Sequence, residues 1–513
     1  MLSKTYASAV RGISATLITI EVNITTGINF FIVGLPDNAV KESEHRIMSA
    51  MNHNNYEVPR KRVVINMAPA DIRKEGSAYD LTLAIGILAA SEKIPVERLN
   101  DYMIMGELSL DGTIKKIKGA LPIAINAREK GFKGLILPEA NAKEAAVIGE
   151  IDVFGMKNIR EVVEFITTGN TIPPTKVDIK KEFFQSPCSY DLDFADVKGQ
   201  AKVKRALEIA AAGGHNLLMI GPPGAGKTML AKCLPGILPP LSLEEALETT
   251  KIHSVAGKLD RDNSLVLKRP FRDPHHTISD VALVGGGTYP QPGEISLAHN
   301  GVLFMDELPE FKHNVLEVLR QPLEGRMITI SRAKFTIEYP SSFMLVAAMN
   351  PCPCGYYNHP GRECVCTPGL VQKYLNKISG PLLDRIDIHI EVVPVPFENL
   401  AGTQRAESSV TIRERVVKAR DIQEIRFKGI AGVHCNAQMS SSLLRKYCMP
   451  DDPGRMILKS AMEKLSLSAR AYDKILKVSR TIADLEGSET IKAWHVSEAV
   501  NYRNLDREGW GGN

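Results

Sequence analysis

The chain has 513 residues, of which 44% are hydrophobic and 24% are charged. This length is too great for one hydrophobic core and predicts roughly two to four domains, and the composition excludes a disordered or fibrous protein. Lysine and arginine (63) nearly balance aspartate and glutamate (59), so any surface that binds nucleic acid has to be a local one.

The N-terminal residues alternate apolar and polar side chains, as a half-buried strand does, and lack the continuous apolar core of a signal peptide. The most apolar run, LTLAIGILAA, is far shorter than the roughly 20 residues that cross a bilayer. We therefore expect a cytoplasmic protein without membrane contact, in which the cysteines are reduced.

Three large segments follow one another along the chain. Strand-like and helix-like runs alternate through residues 1–170, which predicts a first α/β domain. Residues 171–192 mix proline, threonine and charge without periodicity and are expected to form a linker. A second α/β unit is expected over residues 193–396, and residues 397–513 have helical periodicity.

The segment NLLMIGPPGAGKTMLAK predicts a nucleotide site. A buried strand (Leu217–Ile220) leads into a glycine-rich loop followed by a helix-compatible run. Backbone N–H groups of such a loop wrap phosphates, Lys227 would reach the β- and γ-phosphates, and Thr228 would ligate Mg²⁺. ATP and Mg²⁺ are therefore the expected ligands.

Two further strands are predicted to end beside this loop. In GVLFMDELPEF, Asp306 would complete the Mg²⁺ shell and Glu307 would polarise the attacking water. SSFMLVAAMN ends at Asn350, whose amide can bond that water or the γ-phosphate. The residues predicted to bind the nucleotide and its metal are Gly221, Pro222, Pro223, Gly224, Ala225, Gly226, Lys227, Thr228 and Asp306.

The segment SGPLLDRIDIH contains Arg385 in an acidic turn. Asp384 and Asp387 are candidate structural partners for its guanidinium. The alternative is an arginine finger that reaches the γ-phosphate of a neighbouring subunit.

Three segments, DVKGQAKVKRALEIAAAGGHNLLMIGPPGAGKT, PGEISLAHNGVLFMDELPEF and SGPLLDRIDIH, resemble AAA+ ATPases of the magnesium-chelatase-like group, specifically the YifB/ComM family. The resemblance implies a homo-hexameric ring in which Arg385 acts in trans. It also implies a sensor-2 arginine at the start of a lid helix, for which Arg470 is the candidate and Arg480 the alternative.

The same resemblance implies a multidomain α/β fold class. Its parts would be a Lon-protease-like N-terminal domain, an AAA+ P-loop NTPase core with a parallel sheet, and a C-terminal α-helical lid. Lon-type catalysis needs a serine nucleophile and a lysine base. Ala78 falls at the nucleophile position, with Ser77 one residue early, and Leu121 falls at the base position. We therefore expect an inactive domain that serves as a scaffold or binds DNA.

The segment EGRMITISRAKFTIEYP predicts a β-hairpin with Arg332 and Lys334 at its polar tip. In ring ATPases of this clade such a hairpin points into the pore, where both side chains would meet DNA phosphates without reading sequence. A solvated turn is the alternative. The glycine-rich VALVGGGTYPQPGEIS is a second candidate pore loop.

The resemblance further implies a motor that moves single-stranded or branched DNA, a helicase for branch migration in recombination during natural transformation, with recombination proteins as candidate partners. A chelatase-type or protein-remodelling motor without a DNA substrate is the alternative. The sequence has no D-x-S-x-S stretch of the kind that chelatase partner subunits carry.

An insert at residues 351–367 has the pattern CxC-x9-CxC. Four thiolates satisfy a tetrahedral Zn²⁺, so we predict a structural zinc site, with reduced free thiols as the alternative and His359 as a substitute ligand. His275 and His276 are weaker metal candidates, because adjacent histidines point apart in regular structure. The predicted zinc ligands are Cys352, Cys354, Cys364 and Cys366.

Overall fold

The computed structural model describes residues 2–169, 172–179, 183, 190–259, 264–287, 290–332, 335–359, 361–395, 406–465 and 467–503. Within these ranges the protein is an α/β protein with one large mixed sheet, one parallel sheet and a C-terminal set of helices. None of the helices in the described ranges combines the length and the apolar character needed to cross a bilayer.

The first sheet has seven strands in the order β3-β4-β2-β1-β5-β8-β9, and β6 pairs with β7 separately. β1 and β2 form a long antiparallel hairpin, whereas β1, β5, β8 and β9 run parallel. The strands are β1 (Leu2–Arg11), β2 (Ser14–Thr25), β3 (Phe30–Val33), β4 (Arg62–Ala68), β5 (Tyr102–Ile104), β6 (Glu107–Leu108), β7 (Ile114–Lys115), β8 (Gly134–Pro138) and β9 (Asp152–Met156). The helices are α1 (Asn38–Lys41), α2 (Ser43–His53), α3 (Asp80–Ala90), α4 (Ala120–Glu129), α5 (Glu139–Ala146) and α6 (Ile159–Thr168), with a 3-10 turn at Glu97–Asp101.

The second sheet is parallel, with five strands in the order β11-β14-β17-β10-β18. Two small antiparallel ladders, β12–β13 and β15–β16, lie outside it. The strands are β10 (Leu217–Ile220), β11 (Phe271–Arg272), β12 (Gly285–Gly286), β13 (Gln291–Pro292), β14 (Val302–Met305), β15 (Met327–Arg332), β16 (Phe335–Pro340), β17 (Met344–Met349) and β18 (Ile388–Glu391). The helices are α7 (Ala201–Gly213), α8 (Lys227–Cys233), α9 (Leu243–Ala256), α10 (Asp280–Val284), α11 (Glu294–Leu297), α12 (His313–Val318), α13 (Arg320–Gly325), α14 (Pro368–Leu375) and α15 (Gly380–Leu383), with 3-10 turns at Phe194–Asp196, Leu234–Gly236 and Leu308–Glu310.

The C-terminal segment is helical and packs on α7. Gln423 donates to the carbonyl of Ala212 at 3.1 Å, and Arg415 pairs with the buried carboxylate of Glu208 at 2.5 Å. Its elements are α16 (Ser409–Phe427), α17 (Ser441–Tyr447), α18 (Asp452–Lys464), α19 (Ala469–Leu485) and α20 (Ala493–Asn501), with a 3-10 turn at Asn436–Gln438.

The strands of the parallel sheet are buried on both faces, which explains why they read as continuous apolar runs. Successive side chains of a strand point to opposite faces. In β14, accordingly, Val302 and Phe304 join the core on the side of α7 and the C-terminal helices. Leu303 and Met305 join the core on the opposite side, which also includes the β15–β16 hairpin and α14.

The first α/β unit is fixed to the second through α9. The backbone N–H of Gly119 donates to the carbonyl of Ser254 at 3.1 Å, and Lys116 donates to the carbonyl of Leu259 at 2.7 Å. The turn between β1 and β2 also touches β16, since Arg11 donates to the carbonyl of Thr336 at 3.5 Å.

Candidate nucleotide site and cysteine cluster

The glycine-rich loop leaves the carboxyl end of β10, which lies between β17 and β18 in the sheet. The backbone of Gly221 lies so close to β18 that an added Cβ would be 2.2 Å from the carbonyl oxygen of Val392, so only glycine fits there. Gly226 has φ +87° and ends the loop immediately before α8. The strand, loop and helix therefore occur in the order predicted, with the N-terminus of α8 at the loop.

Lys227 is 8% exposed and its ammonium group lies inside the loop. It donates to the carbonyls of Gly221 at 2.7 Å and Pro222 at 3.0 Å, and to Oδ1 of Asn350 at 3.1 Å. Burial lowers the pKa of Lys227, and the negative charges of Asp306 and Glu307 partly offset this shift. The loop lysine and the polar end of β17 thus meet at one point.

The end of β14 supplies the acidic pair. Asp306 accepts a hydrogen bond of 2.6 Å from the hydroxyl of Thr228, so the two predicted Mg²⁺ ligands are adjacent. Glu307 adopts a left-handed conformation with φ +52°, and its side chain is 55% exposed. Because such a conformation is uncommon for a residue with a Cβ, it marks a backbone held by its surroundings, here with the carboxylate of Glu307 projecting from the edge of the sheet.

β11 adds two groups to this edge that the sequence analysis did not place there. Nδ1 of His276 lies 3.4 Å from Oε2 of Glu307. Burial raises the pKa of the Asp273 carboxyl group, the charge of Lys232 partly offsets this shift, and the negative charge of Asp306 adds to it. The sequence signal for these two groups was the short strand before DPHH. This strand, β11, pairs in parallel with β14, so its carboxyl end lies at the same edge of the sheet as Asp306. His276 is therefore a carboxylate partner in this structure.

Arg385 lies at the opposite edge of the sheet from the loop, three residues before β18 begins. Neither predicted aspartate is its partner. Its guanidinium pairs with Glu324 of α13 at 2.8 Å and donates to the carbonyl of Pro381 at 2.5 Å. Asp387 is instead buried, where it accepts from Nδ1 of His215 at 3.1 Å and pairs with Lys474.

Arg470 and Arg480 have different surroundings. Arg470 is the second residue of α19 and lies on the surface, with Nη1 3.7 Å from Asp384, so it shares the edge of Arg385. Arg480 is 4% exposed and is held by Asp484 at 3.0 Å and by the carbonyl of Glu489 at 2.7 Å. Arg480 is therefore bonded within the C-terminal helices, whereas the side chain of Arg470 is accessible.

The predicted β-hairpin is present as β15 and β16, with Arg332 opposite Phe335. Lys334 and the side chain of Arg332 lie outside the described residues. The hairpin packs against the second glycine-rich loop, because the hydroxyl of Tyr339 donates to the carbonyl of Pro290 at 2.8 Å. The two candidate pore loops are therefore neighbours.

The four cysteines of the insert converge. Their sulfur atoms all lie within 4.8 Å of one another, and three of the sulfur pairs are 3.3, 3.6 and 3.7 Å apart. Zn–S bonds of about 2.3 Å in a tetrahedron place the sulfurs about 3.8 Å apart, which matches this geometry. His359 is not part of the group, since its Nδ1 accepts from the backbone N–H of Gly361 at 3.0 Å. The cluster could hold a metal ion through sulfur alone.

The positions aligned with the Lon catalytic pair carry packing side chains. Ala78 uses its carbonyl to accept from the N–H of Gly106 at 2.8 Å. Leu121 is fully buried in a cluster with Val147 and Leu265, which spans the boundary between the two α/β units.

A phosphate loop, an acidic pair and a polar strand end, all at the carboxyl edge of one parallel sheet, define the class of P-loop ATPases. The family model described as magnesium chelatase, subunit ChlI, matches residues 193–400. Two related models match residues 20–141 (subunit ChlI of Mg-chelatase) and 406–503 (subunit ChlI C-terminal).

Among curated proteins, the chain is 45% identical over 509 residues to competence protein ComM of Haemophilus influenzae, a match that covers 99% of this chain and 98% of that protein. It is 43% identical to the uncharacterized protein YifB of Salmonella typhimurium over 99% and 98% of the two chains. Lon protease 2 of Bacillus subtilis is 32% identical over 122 residues, which are 22% of this chain and 21% of that protein. The chain belongs to the ComM/YifB family of magnesium-chelatase-like proteins, and it is an ATPase-type enzyme of the AAA+ class.

Proposed function

We propose that the protein is a hexameric ATP-driven motor that translocates on DNA and extends branch migration as a helicase during recombination in natural transformation. The carboxyl edge of the parallel sheet carries the predicted nucleotide site, and we call it the nucleotide edge. The observation that carries this proposal is that the same α/β unit holds the nucleotide edge and two candidate pore loops that are neighbours. The hairpin β15–β16 and the loop around β12–β13 contact each other and lie in the chain between elements of the nucleotide edge. The name of the competence protein that resembles this chain over its full length supports DNA uptake as the setting.

ATP hydrolysis would be performed by residues at the carboxyl edge of the sheet. The loop from Gly221 to Gly226 would bind the phosphates through backbone N–H groups, and Lys227 would neutralise charge on the β- and γ-phosphates. Thr228 and Asp306 would hold Mg²⁺, which neutralises phosphate charge when bound. Glu307 would accept a proton from the attacking water, and Asn350 would orient that water.

The hexamer is supported by the position of two of the predicted arginines. Arg385 and Arg470 lie at the edge of the sheet opposite to the phosphate loop, so they cannot serve the same nucleotide as Lys227 without a neighbouring subunit. In a ring, the Arg385 edge of one subunit would face the phosphate loop of the next. The three segments 1–170, 193–396 and 397–513 would be the Lon-like domain, which we propose is inactive, the ATPase core and the lid, with residues 171–192 as linker.

DNA would pass the tips of the two neighbouring loops. Arg332 and Lys334 are the residues that we propose contact the phosphates, because backbone contacts of this kind support translocation without sequence preference. Recombination proteins are the expected partners in the cytoplasm, where the thiols stay reduced.

We further propose that Cys352, Cys354, Cys364 and Cys366 hold a structural Zn²⁺. The mutual approach of the four sulfur atoms, all within 4.8 Å of one another, supports this site, because four thiolates are a usual ligand set of structural zinc. Metal analysis of the purified protein checks the site, with about one zinc per chain expected.

A chelatase-type or protein-remodelling motor is the second candidate, since the matching family models are those of magnesium-chelatase subunits. One assay separates the two. The ATPase rate is measured with and without single-stranded or forked DNA, together with displacement of a labelled strand. We expect DNA to stimulate the ATPase rate and the labelled strand to be displaced. Both effects should be lost in the double variant Arg332→Ala with Lys334→Ala. An assembled ring that hydrolyses ATP but neither responds to DNA nor displaces a strand would exclude the DNA motor.

A further inference from the structure

The cysteine cluster touches the phosphate loop. Gly355 directly follows the second cysteine, and a Cβ added to it would lie 2.4 Å from Cδ and 2.8 Å from Cγ of Pro223. Its φ of +85° belongs to the left-handed region that favours glycine. The turn that carries Cys352 and Cys354 is therefore packed against the loop that would bind the phosphates.

The same turn is anchored on its other side. Gly355 donates its N–H to the carbonyl of Cys352 at 3.0 Å, and Cys352 is fully buried in the core that includes α14. The hydroxyl of Tyr374 in α14 accepts a hydrogen bond from the backbone N–H of Asn350. The cluster thus touches the phosphate loop and follows directly on the polar end of β17, and these two parts meet at Lys227.

We propose that the cysteine cluster, with its metal ion bound, buttresses the phosphate loop through the contact of Gly355 with Pro223, so that metal binding and nucleotide binding strengthen each other. This inference rests on the proposed zinc site and on the proposed nucleotide site. Its physical basis is that four sulfur–metal bonds would join Cys352, which the core already holds, to three cysteines that are only partly buried, and would so fix the rest of the turn. A fixed turn holds Pro223, and with it the loop, in the conformation that presents its N–H groups.

Thermodynamic linkage makes the effect reciprocal. If the bound metal raises nucleotide affinity by some factor, then bound nucleotide raises metal affinity by the same factor. Linkage requires the two factors to be equal but does not give their size. We expect metal removal to weaken nucleotide binding about tenfold, a factor within the usual range of coupling between two sites.

The test uses the full-length protein and a fluorescent ADP analogue. Gly355→Ala keeps all four thiols but pushes a methyl group into Pro223, so we expect stoichiometric zinc with about tenfold weaker binding of the analogue. Gly361→Ala is the matched control in the same insert. Its added Cβ would meet only the ring of His359, with Cε1 at 3.8 Å and Nδ1 at 3.9 Å, which are ordinary contacts, and we expect unchanged affinity and zinc content.

A second variant separates the contact from backbone strain at Gly355. Pro223→Ala removes the ring atoms that the new methyl group meets but leaves the φ of residue 355 as it is. In the double variant Pro223→Ala with Gly355→Ala, the affinity is expected within about twofold of Pro223→Ala alone. If the loss of affinity persists in the double variant, its cause is backbone strain at residue 355 and not the contact with Pro223. That result would overturn the proposal that the cysteine cluster supports the phosphate loop.

Metal release gives an independent readout. Saturating nucleotide is expected to slow loss of zinc to a chelator in the wild-type protein and to have no such effect in Gly355→Ala. Equal nucleotide affinity in zinc-loaded and zinc-stripped wild-type protein would overturn the coupling while leaving both sites intact. A purified protein without zinc, or one that binds no nucleotide, would instead overturn the zinc proposal or the ATPase proposal, and with either of them the coupling.

Discussion

The two α/β units differ in what occupies the positions where chemistry is expected. In the second unit the strand ends carry Asp306, Glu307 and Asn350, which face the phosphate loop from two neighbouring strands. In the first unit the positions aligned with a serine–lysine pair carry Ala78 and Leu121, and Leu121 is buried against the second unit. Leu121 thus packs in the interface between the two units.

The polar groups around Leu121 support this interpretation. Glu144 is 5% exposed and accepts hydrogen bonds from the N–H of Leu121 at 3.1 Å, from the amide of Asn141 at 3.1 Å and from the hydroxyl of Ser254 in α9. One buried carboxylate is therefore satisfied by donors from both units. The first unit therefore uses this region to dock onto α9, whereas the second unit carries the residues that we propose for ATP hydrolysis.

The largest expected effect tests whether Glu307 of the second unit takes part in ATP hydrolysis. Glu307→Gln removes the group that would accept the proton of the attacking water, so we expect the ATPase rate to fall by a factor of about 10²–10³ with nucleotide binding retained. Glu310→Gln, in the 3-10 turn that follows, is the matched control, because Glu310 pairs with Lys377 at the surface at 3.2 Å. Equal rates for the two variants would contradict the assignment of Glu307.

The next largest effect tests whether Leu121 of the first unit has a packing role. Leu121→Lys restores the residue type of a base but buries an ammonium group in an apolar cluster, so we expect a loss of about 3 kcal/mol in the free energy of unfolding and no peptidase activity. Denaturant unfolding and a casein assay measure the two outcomes. Leu110→Lys is the control, because Leu110 is 60% exposed. Peptidase activity in the Leu121→Lys variant would refute the inactive first unit.

A smaller effect is expected at the carboxylate that both units share. Glu144→Ala leaves the hydroxyl of Ser254 and the N–H of Leu121 without their acceptor, which costs about 2 kcal/mol of stability. Ser254→Ala removes one donor alone and costs less. In a double-mutant cycle the two changes should be far from additive, and additive changes in unfolding free energy would show that the units do not meet through this pair.

The smallest effect sharpens the description of the nucleotide edge. His276→Ala removes a partner of the Glu307 carboxylate worth about 1 kcal/mol, so we expect kcat to fall about fivefold with little change in KM. His275→Ala is the control next to it, since Nδ1 of His275 lies 2.9 Å from the hydroxyl of Thr277 and not beside the acidic pair. A drop of the same size in both variants would argue for local unfolding.

Much of the nucleotide edge could be predicted from the sequence because its residues follow buried strands directly. Parallel strands bring their carboxyl ends to one edge, so Lys227, Asp306 and Asn350 had to be neighbours once the strands were recognised. The hairpin β15–β16 was predictable for a similar reason, since its alternation and its turn are adjacent in sequence.

The contacts that were missed join parts of the chain that no local pattern relates. The pair of Arg385 with Glu324, the contact of Gly355 with Pro223 and the hydrogen bond of Ser254 to Glu144 each span dozens of residues or more. Their existence depends on how helices pack on the sheet, and an exposed glutamate such as Glu324 carries no sequence signal of a partner. The aspartates considered as structural partners of Arg385 have other partners in the structure: Asp387 pairs with His215 and Lys474 inside the fold, and Asp384 lies beside Arg470.

The ion pair of Arg385 with Glu324 has a consequence for how a ring could respond. Glu324 is 56% exposed, but the side chain of Arg385 is only 14% exposed, and its guanidinium also donates to the carbonyl of Pro381 at 2.5 Å. The pair is therefore not a fully solvated ion pair of the kind worth about 0–1 kcal/mol, and the guanidinium is held in a defined orientation. In the ring that we propose, a phosphate of the neighbouring subunit would have to replace both partners, so the arginine would leave Glu324 only when that subunit holds nucleotide.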